Sequence, residues 1–470
     1  MTDISRRKLF GAAGAASLGL AGMVPVASAS ECGKPVKWNE TKEFVIIGTG
    51  FAGLAAALEA HQGGMKSDQI LILEKMSFPG GNSVINGGAV AAAGTDMQKA
   101  EGIRDSPDLL YADIIKAGGG LAHPELARHI ADESVENFYW LRDKIGVKFK
   151  AVTYHGGHSV NDKGCVEGVK ARTGYTFGKE ESGKVVYIRA TKGVLLATGG
   201  FSQNVKMRMS HDPRLTAAFT STNQPGATGE TIQQAQEIGA NTIQMDWIQL
   251  GPWTSPDEQG FGVAPLFVES AVGYGPMIDP ATGKRFVKET GNRKVRADAI
   301  VAIGHPCLIY TSAVNAKANI IGKNMTDELY KHARESGVVK EYPTLKAMAD
   351  DLKIPFDQLK KTNDDFNSYM KAKKDPEFDC MIFDNAVPNE EGPFLAVRLW
   401  PRVHHCMGGL EINNKAEVLS CRGEPIKGLY AAGEVTGGVH GMVRLGTVAV
   451  ADCMIFGRTA ARTALAFKGC

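Results

Sequence analysis

The chain has no C-x-x-C pair. Its eight cysteines, Cys32, Cys165, Cys307, Cys380, Cys406, Cys421, Cys453 and Cys470, are scattered. That excludes a C-x-x-C-H haem attachment, so no c-type haem of its own is expected, and buried free thiols are the favoured reading. Charge of one sign is also scarce. The net charge is +2 with no long basic run, which excludes nucleic acid as a partner. Beyond the first thirty residues no apolar stretch reads as a membrane span, because the C-terminal one is broken by Arg444, Asp452 and Arg458. Aromatic residues are few, at 7%, yet 43% hydrophobic and 22% charged residues exclude disorder as the dominant state. Glycine is what the chain has in abundance, 55 among 470 residues and without a repeat period. So much glycine points to tight turns and close backbone approaches, as around a large cofactor. The length implies two or three domains, or one large α/β domain with an insertion.

The first residues read as a processing signal. Arg6 and Arg7 in SRRKLF form a twin-arginine signature, a Gly/Ala-rich stretch runs to Val26, and Ala27-Ser28-Ala29 fits a small-x-small cleavage site. A signal peptide over 1–29 is expected, with export to the periplasm of an already folded protein. Its removal leaves a formally neutral chain and no stable membrane span.

The first chemical motif is a dinucleotide site. A buried strand is predicted at 43–47, then GTGFAG at 48–53, then a helix over 54–61. In this setting Gly48 allows the tight turn, Gly50 the approach of a pyrophosphate, and Gly53 close packing of helix on strand. A second strand at 69–73 ends in Glu74, where an acid holds a ribose hydroxyl. The glycines and small donors that follow, Gly80, Gly81, Asn82, Ser83, Gly87 and Gly88, suit a flavin lying on bare backbone. Further strands are predicted at 193–197, ending in Thr198-Gly199-Gly200, and at 428–432, ending in Gly433-Glu434. Strands that return after long insertions are expected of a doubly wound α/β sheet.

Together GTGFAG (48–53), LEKMSFPGGNS (73–83), ATGGF (197–201), STNQPGA (221–227), GKRFVKE (283–289), VHHCMGG (403–409) and GEVTGGVHG (433–441) resemble the fumarate reductase flavoprotein and flavocytochrome c family, over 43–462. The resemblance implies a Rossmann-type FAD-binding domain in two parts, 42–250 and 406–470. An inserted α+β capping or clamp domain spans 251–405, with amphipathic helices predicted over 326–336, 342–351 and 355–371. It implies a periplasmic, FAD-dependent reductase of the activated C=C bond of an α,β-unsaturated carboxylic acid, here a haem-less member with a separate multihaem cytochrome c as electron donor. FAD is expected to be non-covalent, since no flavin-linking His adjoins the cluster at 80–83. The residues implied to bind it are Gly48, Gly50, Ala52, Gly53, Glu74, Lys75, Gly81, Asn82, Ser83, Gly87, Gly88, Ala197, Thr198, Gly199, Gly433, Glu434, Leu445 and Gly446. By the same resemblance Arg293 is the proton donor, Glu269 belongs to its relay, and His404 and Arg444 hold the substrate carboxylate. His404 and His405 are neighbours on a strand and face opposite ways, so no metal is expected between them. Cys406 reads as packing.

Four departures from the family stand out. Gly251 replaces a His that binds the second carboxylate of fumarate, so an acid with one carboxylate is expected to be preferred. Gly251 also leaves room, with Trp247 and Trp253 near enough in sequence to line an apolar pocket, and Tyr274 or Lys294 near enough to replace the missing His. Val272 stands where the relay has an Arg, and Thr447-Val448 where Gly-Asn is usual. The run over 156–169 is short, lacking a helix and a strand that normally help hold the adenine end of FAD. Three other readings remain at this point: a fumarate reductase proper, a 3-ketosteroid-type dehydrogenase relying on Tyr, and an inactive flavin-binding remnant.

Overall fold

The computed structural model describes residues 36–86, 88–149, 166–179 and 181–469. The predicted signal peptide, Gly87 and the part of the short 156–169 run up to Cys165 lie outside the described residues. Among the described residues no helix is long and apolar enough to cross a membrane.

A five-stranded sheet forms one layer. Its order is Glu417–Leu419, Pro425–Ala431, Val194–Leu196, Phe44–Ile47, Ile70–Leu73, and all neighbours are parallel except the first pair. Val45 pairs with both Leu71 and Val194, at the centre of the sheet. Phe44, Val45 and Ile46 are wholly buried, which explains why this strand reads as an unbroken apolar run rather than an alternating one. The helix Phe51–Gln62 follows it directly and packs on the C-terminal helix Val448–Ala466. That contact is close because it uses Gly457, where a Cβ would lie 2.3 Å from the Ala52 carbonyl oxygen.

The second layer has its own cores. An antiparallel sheet runs in the order Lys284–Arg285, Met277–Asp279, Cys307–Ser312, Phe394–Leu399, Lys340–Tyr342. Helices Asp327–Glu335, Leu345–Leu352 and Phe356–Ala372 are the amphipathic segments read from sequence. The middle one starts later than expected. Tyr342 is claimed by the sheet, where it pairs with Phe394, and Thr344 caps the helix by accepting from the Ala347 N–H at 3.1 Å.

The strands Ile248–Gly251 and Arg402–Cys406 link the two layers as an antiparallel pair. Their register shifts between Val403 and His405. His404 is therefore the extra residue of a β-bulge, a device that re-aims one side chain out of the ladder.

Candidate functional site

A cleft opens at the carboxyl ends of the parallel strands. Gly48, Gly50, Ala52, Glu74, Lys75, Gly81, Asn82, Ser83, Ala197, Thr198, Gly199, Gly433 and Glu434 all line it. The glycine fingerprint is enforced by space. Gly48 has φ +109°, and a Cβ there would sit 2.3 Å from the Ala197 carbonyl oxygen. A Cβ on Gly53 would sit 2.1 Å from the Gly48 carbonyl oxygen, so Gly53 serves helix packing rather than the cleft lining. Glu74 is pinned beneath the fingerprint: its carboxylate accepts from the Thr49 hydroxyl at 2.5 Å and from the Met76 N–H at 2.9 Å. Ser83 accepts from the Phe51 N–H at 2.9 Å, which ties the second glycine cluster to the start of the helix. Bare backbone along one wall and an acid at the end of the second strand fit a dinucleotide with a flavin.

The sequence missed part of this lining. The strand Gly168–Thr173 places Val169, Lys170, Ala171 and Arg172 along the cleft, so a strand does reach it despite the shortness of the preceding run. Its pairing with Lys184–Ala190 is what holds it there. In contrast Gly88, Leu445 and Gly446 are not among the lining residues. Leu445 packs against the core of the first layer, and its carbonyl accepts from Arg444 Nη1 at 3.3 Å.

Behind the cleft lining, on the far side of Asn82 and Gln224, the predicted residues His404, Arg444 and Arg293 converge. Arg444 Nη2 lies 2.9 Å from His404 Nε2, and His404 Nδ1 lies 2.9 Å from Thr222 Oγ1. A guanidinium can only donate, so His404 Nε2 accepts and the ring proton sits on Nδ1, facing Thr222. Burial and the charge of Arg444 hold His404 well below its usual range, which keeps it neutral. The motif at 221–227 fastens this arrangement to the flavin cradle: Asn223 Nδ2 donates to the His404 carbonyl at 2.8 Å, and the Gln224 N–H to Asn82 Oδ1 at 2.8 Å.

Arg293 opens the helix Arg293–Ile303, and its guanidinium lies 5.0 Å from the centre of the Trp253 ring. Burial pulls its pKa down, and the neighbouring Arg296 adds to this. Burial first, and then the charge of Arg293, pull Arg444 down to about 9. Arg293 Nη1 and Arg444 Nε are both buried without a hydrogen-bond partner. Two guanidinium groups thus press on one another with N–H donors unspent, which is the environment of an anion site. The nearest carboxyl in the cleft wall, Glu434, is pushed up to about 7 by burial and accepts from the Cys406 N–H at 3.0 Å. Cys406 itself is buried and its thiol is pushed well above its usual range, in keeping with packing.

Glu269 accepts from Arg296 Nη2 at 2.7 Å. The guanidinium that Val272 cannot supply therefore comes from a different element, three residues beyond Arg293 on the same helix. Neither proposed substitute for the missing His reaches the site. Tyr274 donates to Asn385 at 3.0 Å, and Lys294 pairs with Asp298 at 2.6 Å. Trp247 is also elsewhere, in a separate hollow with Met442 and Val443. Nor does Gly251 leave an open pocket, because the Trp253 ring fills the space above it. His405 stays in the ladder opposite Gln249, with its Nδ1 3.6 Å from Glu434 Oε1, and the bulge at His404 rather than plain strand alternation sets the two rings apart. Among the described residues one group has ligand-type atoms close enough to share an ion, Glu289, Asp375 and Cys380, but Arg285 already bridges its two carboxylates.

Comparison with known proteins agrees with this geometry. The family described as FAD binding domain matches residues 43–173 and 157–450. The chain is 41% identical to the acrylate reductase flavoprotein subunit of Shewanella woodyi, covering 98% of both chains. It is 32% identical to the fumarate reductase (cytochrome) of Shewanella frigidimarina strain NCIMB 400, over 92% of this chain and 75% of that protein. Among solved structures, the open conformation of a flavocytochrome c3 fumarate reductase superposes with a TM-score of 0.70 at 28% identity, over 91% of this chain and 79% of that one. The glycine cradle, the doubly wound sheet and these likenesses lead to one conclusion: the chain belongs to the FAD binding domain family, alongside the fumarate reductase flavoproteins and flavocytochromes c, and is an FAD-dependent oxidoreductase.

Proposed function

We propose that this protein reduces the C=C bond of an α,β-unsaturated acid carrying one carboxylate. The observation that carries the reading is the pair of buried guanidiniums with unspent donors beside His404, whose carbonyl is tied through Asn223 to the cleft-lining Asn82. The name of the acrylate reductase relative points the same way. A bound FAD supplies the hydride that reaches the β-carbon. Arg444, oriented by His404, holds the substrate carboxylate and so fixes the double bond in place. Arg293 donates a proton to the α-carbon; its lowered pKa suits an arginine used as an acid, which an exposed guanidinium cannot be. Glu269, which is partly exposed, passes a proton inward, with Arg296 holding its carboxylate in position. The segment 251–405 acts as a clamp that excludes water over the substrate.

A fumarate reductase proper needs a partner for a second carboxylate, and Gly251, Tyr274 and Lys294 offer none at this site. A Tyr-based ketosteroid chemistry is disfavoured because Tyr274 is engaged with Asn385. The donor is proposed to be a separate periplasmic multihaem cytochrome c, reached after twin-arginine export and signal cleavage. The deciding experiment measures kcat/KM for acrylate, methacrylate, cinnamate-like and urocanate-like acids against fumarate with a reduced viologen donor. A monocarboxylic acid is expected to lead; fumarate ahead by tenfold or more overturns the reading. Acid precipitation is expected to leave the yellow colour in the supernatant, as non-covalent FAD requires. Changing Arg6 and Arg7 together to Lys is expected to hold the protein in the cytoplasm.

A further inference from the structure

Trp253 occupies the space above Gly251. A Cβ placed on Gly251 would fall 1.4 Å from Trp253 Cζ3, so the indole can lie there only because residue 251 is bare. The chain folds it back on purpose. Residues 251–254 make a tight turn with Pro252 inside it, and the Thr254 hydroxyl lies 3.0 Å from the Gly251 carbonyl oxygen and 2.7 Å from that of Trp400. The Trp400 N–H returns a bond to the Thr254 carbonyl at 3.0 Å. The turn is therefore sewn to the end of a core strand of the second layer, and the ring is only 2% exposed.

The same ring forms a wall of the reacting site. It meets His404 edge to face at 4.7 Å and 82°, and the Arg293 guanidinium lies 5.0 Å from its centre. Phe261 continues the wall, 6.2 Å from Trp253 and 6.1 Å from His404. An indole that touches both the histidine that orients Arg444 and the proton-donating Arg293 lies along any acid bound between the two arginines. It offers no charge and one N–H, so it cannot pair a second carboxylate, and it is held too firmly to yield to a bulky group.

We propose that Trp253, seated on Gly251, is the residue that sets substrate size: it admits short enoic acids such as acrylate and excludes those with an aryl or carboxylate substituent on the β-carbon. This rests on the ene-acid reading above and deepens it. Gly251 and Trp253 act as one unit, since any side chain at 251 evicts the ring.

The test compares wild type with Trp253→Leu, and with Trp253→Phe in case the smaller residue does not fold. In the FAD-loaded protein with a reduced viologen donor, the ratio of kcat/KM for cinnamate to that for acrylate is expected to rise at least tenfold in Trp253→Leu and by less in Trp253→Phe. Binding is read independently from the flavin absorbance change on titrating the saturated acids propionate and 3-phenylpropionate, which do not turn over. Tighter 3-phenylpropionate binding relative to propionate is expected in the variants. Unchanged ratios in both measurements, or an equal loss for short and long acids, overturn the proposal and make Trp253 core packing only. If wild type reduces no enoic acid at all, the functional reading fails instead, while the binding ratios still decide the role of the wall.

Discussion

Two buried arginine centres lie within ten residues of each other in sequence and do opposite work. Arg285 is 5% exposed and saturated. It donates to Glu289 at 2.6 and 2.8 Å and to Asp375 at 2.6 and 3.1 Å, and it stacks between the rings of Phe366 and Phe378. Burial alone would pull its pKa down, but the two carboxylates win and push it above the usual range. Among the described residues no carboxylate pairs with Arg293 directly; burial pulls it down, and the charge of Glu269 offsets this only in part. The first arrangement is complete and pins a helix to a sheet. The second is incomplete and waits for an anion. GKRFVKE was read from sequence as a family marker, and its charged pair proves to be this pin. A motif can thus identify a family through a residue that never meets the substrate.

The contrast is broken most sharply by exchanging the losses. Arg293→Ala is expected to lower turnover by roughly 10²–10⁴-fold, as loss of a general acid does, while the melting temperature and flavin content stay near wild type. Full turnover with the best substrate would show that the acid lies elsewhere. Arg285→Ala is expected to do the reverse. It strands Glu289 and Asp375 in the core, at a cost of about 3–5 kcal/mol read from denaturant unfolding. A loss under about 1 kcal/mol would mean the pin is solvated.

The cleft also contains a proton-linked term. Glu434 titrates near 7 in the folded protein against an ordinary value of 4.5, the shift coming from burial. The folded state then binds more protons than the unfolded chain between these values, so this group's contribution to stability falls as pH rises from 4.5 to 7. At pH 8 the full penalty is on the order of 3–4 kcal/mol. The stability of wild type minus that of Glu434→Gln, measured on apoprotein, is expected to decline over that window; a flat difference refutes the assignment.

The smallest effect concerns Thr447. It has φ +65°, a left-handed conformation that costs a threonine roughly 1–2 kcal/mol. Thr447→Gly is expected to stabilise by less than about 1 kcal/mol, since glycine gives back roughly 0.5–1 kcal/mol in chain entropy. A destabilised variant would mean that the Thr447 side chain contributes more than its backbone costs.

Local chemistry was legible in the sequence. Strand, glycines and helix at 44–62 followed from sterics confined to a few residues, whereas the pairing of His404 with Arg444 was implied only by the family resemblance of their two motifs. What escaped the sequence reading depends on partners far along the chain. The strand Gly168–Thr173 exists through its ladder with Lys184–Ala190. Arg296 finds Glu269 because a helix start and a helix end meet across the second layer. Gly251 was read as empty space because a bare α-carbon says nothing of what covers it, and the ring that does so comes from a turn two residues later. One clue was present: Pro252 between Gly251 and Trp253 favours such a turn.

The central sheet has a consequence for the order of events in synthesis. Its strands at 44–47 and 194–196 are made early, but the neighbour of 194–196 at 425–431 and the helix at 448–466 that packs on Phe51–Gln62 are made more than 200 residues later than the strand at 194–196. The nascent protein therefore carries half a cofactor cradle, apolar and unsealed, until the strand at 425–431 and the helix at 448–466 have been added. Pairings this distant are slow to form and leave sheet edges exposed meanwhile. Closure of the sheet therefore waits for these later segments, and a chain cut short before the helix at 448–466 is expected to lack the sealed cradle altogether rather than to hold flavin weakly.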